Sequence, residues 1–217
     1  MKKITQYFSF CAAAAVIFIL SVSCTNTRPE ISYGFLQLIL YQTDSGPQEH
    51  FSFFIIPEDG DGLDNLDELY LYHDREQLVW QIKSNEWVSY TQDARTWIGT
   101  RSISVRDDIL PRGVYRAVLV NKGGERAERT FTFDGVVRFS FPALDITNGT
   151  YTVRSEWPVN KLVCYDISGN YLTTVTLTSL SGSISELGLP SSAVTAALWA
   201  EDEDNFCSAF TNVLSIN

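Results

Sequence analysis

From about residue 33 onward, apolar and polar positions alternate with a period of two. The clearest runs are Phe35-Leu36-Gln37-Leu38-Ile39-Leu40, Phe51-Ser52-Phe53-Phe54-Ile55-Ile56 and Leu69-Tyr70-Leu71-Tyr72. Later runs are Tyr115-Arg116-Ala117-Val118-Leu119-Val120, Thr130-Phe131-Thr132-Phe133 and Leu172-Thr173-Thr174-Val175. In an extended chain this period sends successive side chains to opposite faces, and the runs favour β-branched and aromatic residues. Clusters of Gly, Asp, Asn or Pro interrupt them at the spacing of short antiparallel strands. No window carries a sustained helical period with caps, and Asp64 to Glu68 has room for one short turn. The pattern predicts an all-β protein built of sandwiches rather than parallel α/β units.

The chain also repeats itself. Leu110-Pro111 and Leu189-Pro190 open two runs offset by 79 residues, which place Ala117 on Ala196, Leu119 on Leu198, Phe131 on Phe210 and Thr132 on Thr211. Each run holds two strands around a polar turn, Lys122-Gly123-Gly124-Glu125 in one and Glu201-Asp202-Glu203-Asp204 in the other. Upstream, Leu69 to Ile82 parallels Leu162 to Val175 at an offset of 93. These units resemble two tandem immunoglobulin-like or fibronectin-type-III-like β-sandwiches, residues 31–137 and 138–217. In that resemblance the first hairpin supplies strands C and C′ and the second supplies F and G. Gly113-Val114-Tyr115-Arg116-Ala117 is similar to the tyrosine corner that starts strand F. The first unit lacks both inter-sheet cysteines of antibody domains, and Val194 replaces the tyrosine in the second. The likeness therefore reaches the class and no particular family within it.

The N-terminus has a different character. Lys2 and Lys3 precede a run from Phe8 to Leu20, apolar apart from Ser9 and too short for the roughly 20 helical residues that span a bilayer. Ser21 and Ser23 follow, then Cys24, the layout of a secretory signal peptide. With cysteine directly after small residues, it resembles the lipobox of bacterial lipoproteins. Leu20 lies four residues before Cys24, and Ser21 takes the place where leucine is common, a looseness similar to spirochaetal lipoproteins. The resemblance implies a signal peptide over 1–23, a diacylated Cys24, a tether over 24–30 and contact with the membrane through the lipid. Each buried CH₂ would contribute about 0.8 kcal/mol to anchoring. Thr25 rather than Asp follows the cysteine, which implies the cell envelope with the outer membrane favoured over the inner.

Composition narrows the chemistry. The 217 residues are 45% hydrophobic and 13% aromatic, enough to fill real cores. Net charge is −10, and losing residues 1–23 leaves 14 basic against 26 acidic residues, or −12. That balance argues against a nucleic-acid partner, which needs clustered Lys and Arg. In the mature chain Cys164 falls on strand C and Cys207 on strand G, with F between. A separation near 9–10 Å would exceed the roughly 7 Å a disulfide allows, so two separate thiols are expected.

The acidic run Glu58 to Glu68 offers hard oxygen ligands for Ca²⁺, with Asp59, Asp61 and Asp64 as metal candidates. It fails the EF-hand spacing, and the alternative is a solvated loop turned by glycine. Glu201 and Asp202 form a second candidate, on a turn that would point back at the first unit. Trp80, Trp87 and Trp97 lie close in sequence and form a candidate ligand platform for sugars or peptides, or else core and edge cover. No nucleophile elbow, P-loop, dinucleotide fingerprint, HExxH or CxxC is present. His50 and His73 are the only histidines, and His73-Asp74 reads as a turn. No catalytic residue and no cofactor other than Ca²⁺ is expected. The reading is a membrane-anchored, non-enzymatic envelope lipoprotein that binds, adheres or scaffolds through an envelope or host protein. A Ca²⁺- or carbohydrate-binding module is the alternative, and a hydrolase with an unrecognised site is third.

Overall fold

The computed structural model describes residues 27–106 and 109–216. The run over 1–23 read as a signal peptide, and Cys24, lie outside the described residues. Regular structure is all strand apart from short 3₁₀ turns, as the alternation predicts. Among the described residues no helix is long and apolar enough to cross a membrane.

The first eight strands are β1 (Glu30–Thr43), β2 (Gly46–Glu58), β3 (Leu66–His73), β4 (Leu78–Lys83), β5 (Val88–Gln92), β6 (Arg95–Ile103), β7 (Gly113–Asn121) and β8 (Arg126–Phe133). After residues 134–142 come β9 (Ala143–Thr147), β10 (Thr150–Arg154), β11 (Val159–Tyr165), β12 (Tyr171–Thr176), β13 (Ser181–Ser183), β14 (Thr195–Asp202), β15 (Cys207–Phe210) and β16 (Leu214–Ser215). A nine-stranded sheet in the order β12-β11-β14-β15-β1-β2-β6-β5 runs through both halves of the chain, with β16 also on β14. A four-stranded sheet, β4-β3-β7-β8, and a three-stranded one, β13-β10-β9, complete the fold.

The repeat read from sequence is kept in the register. Leu69 pairs with Ile82 and Leu119, and Leu71 with Trp80 and Ala117. At the same offsets, Leu162 pairs with Val175 and Leu198, and Cys164 with Thr173 and Ala196. The orders β4-β3-β7-β8 and β12-β11-β14-β15 therefore match strand for strand. The offset of 79 breaks at the last turn: Val120 faces Arg126, whereas Trp199 faces Phe210. Past these equivalent positions the second hairpin runs further before it turns, and its strand β15 pairs with a neighbour that β8 lacks.

That neighbour is β1. Leu38 to Tyr41 pair in parallel with Cys207 to Phe210, the contact that joins the halves into one sheet. Inward-facing residues of β1, β2, β3, β6, β7 and β8 form the main core, and Cys207, Ala209 and Ala200 join it from the second half. Smaller clusters lie around Leu162, Cys164 and Ala196 and around Tyr151, Val153 and Leu198. Tyr115 is fully buried, and its hydroxyl donates to the Pro111 carbonyl at 2.6 Å. Cys164 on β11 and Cys207 on β15 are buried unpaired thiols with β14 between them, as expected.

The crossing between halves is tightly packed. Arg112 makes two 2.9 Å contacts to Glu49, and its Nε donates to the Gly135 carbonyl. A Cβ on Gly135 would sit 2.6 Å from the Asn205 carbonyl oxygen, so the connecting chain passes close over the β14–β15 turn. The Asn205 backbone cannot yield, and the buried Phe133 ring stands as close, at 2.5 Å. Gly135→Ala is therefore expected to destabilise the protein by about 1–3 kcal/mol through overpacking, read as a fall of roughly 2–10 °C in melting temperature.

Burial raises both thiol pKa values, that of Cys207 from near 9 to about 11. Native protein should resist alkylation of both at pH 8 and react at both in denaturant. Between pH 9 and 11 the unfolded chain releases the Cys207 proton while the folded chain keeps it, so this group's contribution to stability falls as pH rises.

Candidate functional site

The outer face of the nine-stranded sheet carries the candidate site. On β2, inward Phe51, Phe53 and Ile55 are buried, but so are outward Ser52, Phe54 and Ile56. An outward face this covered means that neighbouring side chains close over it. A ladder of outward residues crosses five strands: Lys161, Trp199, Phe210, Tyr41 and Gln48 face one another in turn. Trp199 and Phe210 meet edge to face at 5.9 Å, and Tyr41 meets Phe210 at 6.0 Å. A second aromatic group lies toward the other edge. Tyr90 and Trp97 are stacked in parallel at 6.2 Å, with Tyr33, Phe35 and Phe54 against them.

Between the two groups lies a concave cavity of about 780 Å³ lined from both halves of the chain. Arg101, from β6, and Tyr165, from β11, both line it, although five strand spacings separate β6 and β11. A flat sheet would hold them about 24 Å apart. The sheet is therefore curled, as right-handed twist accumulating over many strands requires.

Charge in the cavity is sparse and specific. Lys161 Nζ donates to Glu201 at 2.6 Å on the floor. Arg101 has no carboxylate partner among the described residues. Burial raises the phenol pKa values of Tyr41, Tyr90 and Tyr165, and Arg101 opposes the rise at each of them. The three hydroxyls stay protonated at neutral pH and share the field of one guanidinium. His50 packs on Tyr41 at 5.0 Å, and burial lowers its pKa, which keeps it neutral at pH 7.

The residues singled out from sequence divide among different roles. Trp97 belongs to the concave face. Trp80 and Trp87 pack against the main core, and Trp80 Nε1 donates to the Ser104 carbonyl. The three do not form one platform. Trp199, a lone tryptophan between Leu198 and Ala200, supplies the ring that local clustering did not point to.

Asp59 accepts from the amides of Asn65 and Asn121, and Asp61 accepts the Thr27 N–H at 2.7 Å. Asn121 also donates to the Thr27 carbonyl. Asp64 lies exposed on the 3₁₀ turn beside them. This end of the acidic loop ties down the incoming chain. Glu201 and Asp202 point to opposite faces, one to Lys161 and the other, buried, to the Asn205 amide at 2.6 Å. Among the described residues no group of three or more His, Cys, Asp or Glu side chains is placed to hold a metal ion. The turn does point back at the first half: Phe206 accepts the Leu38 N–H. Buried His73 spends its nitrogens on the Glu76 N–H and the Arg112 carbonyl, while Asp74 pairs with Arg116. They form no catalytic dyad.

No protein-family model matches the chain, and no curated protein matches it. Among solved structures it is similar to Tp47, the 47-kilodalton lipoprotein of Treponema pallidum, at 13% identity and a TM-score of 0.43, over 85% of this chain and 50% of that one. It is also similar to dimeric latent PorU from Porphyromonas gingivalis, at 16% identity and a TM-score of 0.34 over 89% of this chain and 20% of that one. A third likeness, to murine CEACAM1b, has 12% identity and a TM-score of 0.27, with 85% and 99% covered. The chain thus spans half the length of Tp47 and a fifth of PorU.

The tie at Thr27 gives a direct test. Asp61→Ala removes the acceptor of its N–H, so amide exchange at Thr27 should accelerate roughly 3- to 10-fold, the worth of one hydrogen bond of about 1 kcal/mol. Exchange in β2 and β7 should stay unchanged.

Proposed function

We propose that this protein is a lipid-anchored envelope lipoprotein whose body is a non-enzymatic binding module. The observation that carries the reading is the concave aromatic face, a preformed cavity of about 780 Å³ within the range of small-molecule sites, roughly 300–1,000 Å³. The body is read as two immunoglobulin-like sandwiches, 31–137 and 138–217. Supporting this are the sheet order β1-β2-β6-β5 with β4-β3-β7-β8 and the Tyr115–Pro111 hydrogen bond, which has the form of a tyrosine corner. The β1–β15 ladder then joins the two along one continuous sheet.

The anchor reading rests on the lipobox-like run ending at Cys24. Three residue steps separate Cys24 from Thr27, the residue that Asp61 and Asn121 hold at the β2–β3 end. The acidic loop would then lie near the membrane. The second half, joined along the far part of β1, would project away from it with much of the aromatic face.

Two measurements test this. Cys24→Ala should abolish palmitate labelling and move the protein out of the membrane fraction; continued labelling would sink the anchor. Wild-type protein should bind isolated envelope material. The double change Trp199→Ala with Tyr171→Ala should reduce that binding at least tenfold, while Tyr72→Ala, on the outer face of the four-stranded sheet, should leave it unchanged. Equal losses from both variants would remove the concave face from the account.

A further inference from the structure

The concave face carries enough chemistry to define what it holds. Its floor strands, β11, β14, β15, β1, β2 and β6, each have partners on both sides. Their backbone groups are spent in ladders, so an extended peptide cannot join them by strand addition. Recognition must come from side chains: ring faces, phenol hydroxyls, and the few charges present.

Those side chains have a definite arrangement. Arg101 sits at the level of Ser52 and Gln37, between Tyr90–Trp97 on one side and Tyr41, Phe210 and Trp199 on the other. It is solvent-exposed and has no carboxylate partner among the described residues, and the nearby Lys161–Glu201 pair is already satisfied. In a chain of net charge −10, an uncompensated guanidinium within a ring of hydroxyl donors is a charge-complementary seat for an anionic group. The aromatic groups on either side present apolar bodies with polar tips, which suits a ligand whose rings have apolar faces and hydroxylated rims. The Lys161–Glu201 pair offers a donor and an acceptor to such hydroxyls.

We propose that the concave face binds an acidic oligosaccharide, with a sugar carboxylate on Arg101 and flanking sugar rings against Trp199 and the Tyr90–Trp97 pair. This deepens the reading of that face as a binding surface and rests on it. The carboxylate sets the polarity and register of the glycan, and the rings supply contact area on both sides.

The test uses the full mature chain in detergent with three probes: tetragalacturonate, its fully methyl-esterified form, and a tetra-aspartate peptide. Titration calorimetry and tryptophan fluorescence should show saturable binding of tetragalacturonate. Esterification, Arg101→Gln and Trp199→Ala should each weaken it at least tenfold, with the melting temperature of Arg101→Gln unchanged. Esterification removes the charge without touching the protein, so the result does not depend on a variant folding. Absence of saturable binding, equal binding of the ester, or preference for tetra-aspartate would overturn the proposal. If envelope material binds in a Trp199-dependent way while tetragalacturonate does not, the ligand assignment falls and the binding surface stands.

Discussion

Two strands far apart in the chain, β1 and β15, would each be an exposed sheet edge if the halves of this protein stood alone. Unpaired strand edges template aggregation, and proteins blunt or cover them. Here each covers the other. The parallel ladder from Leu38–Cys207 to Tyr41–Phe210 satisfies both, and the Ser208 hydroxyl adds a bond to the Leu38 carbonyl. Inward, Cys207 and Ala209 enter the core of the first half, where small side chains let the strand approach closely. Outward, Phe210 meets Tyr41. One short ladder thus closes two edges, extends one core and completes one surface.

The connecting chain obeys the same constraint. For β15 to reach β1, the β14–β15 turn must lie under residues 134–142, and only a residue without a side chain passes over it at Gly135. Arg112 fixes that carbonyl while it pairs with Glu49 on β2. Exposed ion pairs add little on their own, whereas this one is largely withdrawn from solvent, its side chains 30% and 12% exposed. It also has hydrogen bonds to the backbone at Leu110 and Gly135, so it fixes the start of the connecting chain against β2.

Much of the architecture was legible because its signals are local. Offsets of 79 and 93 residues anticipated the paired register of Leu69 with Leu119 and Leu162 with Leu198, since a repeat that preserves a buried face must preserve pairing. Separation of Cys164 and Cys207 followed from the same strand order. The parallel contact of β1 with β15 was illegible, because nothing in either strand's pattern names a partner about 170 residues away. A hint was available: Phe51 to Ile56 is nearly unbroken in apolar character, which marks a strand covered on both faces. The three neighbouring tryptophans misled for the complementary reason. Closeness in sequence put Trp80 and Trp97 on different sheets facing different surroundings, while Trp97 and Trp199, about a hundred residues apart, share one face.

Acidity acquires a structural meaning once charges are placed. Asp59 and Asp61 hold the N-terminal lead-in, Asp202 closes its own turn, and Glu201 neutralises Lys161. Each such carboxylate is matched by a donor within the fold, whereas Arg101 is matched by none among the described residues. A buried face tolerates an unmatched cation only where solvent or a ligand reaches it, because full desolvation without a partner would cost several kcal/mol. Arg101 is itself solvent-exposed, so water reaches it through the open mouth of the cavity and a ligand can do the same.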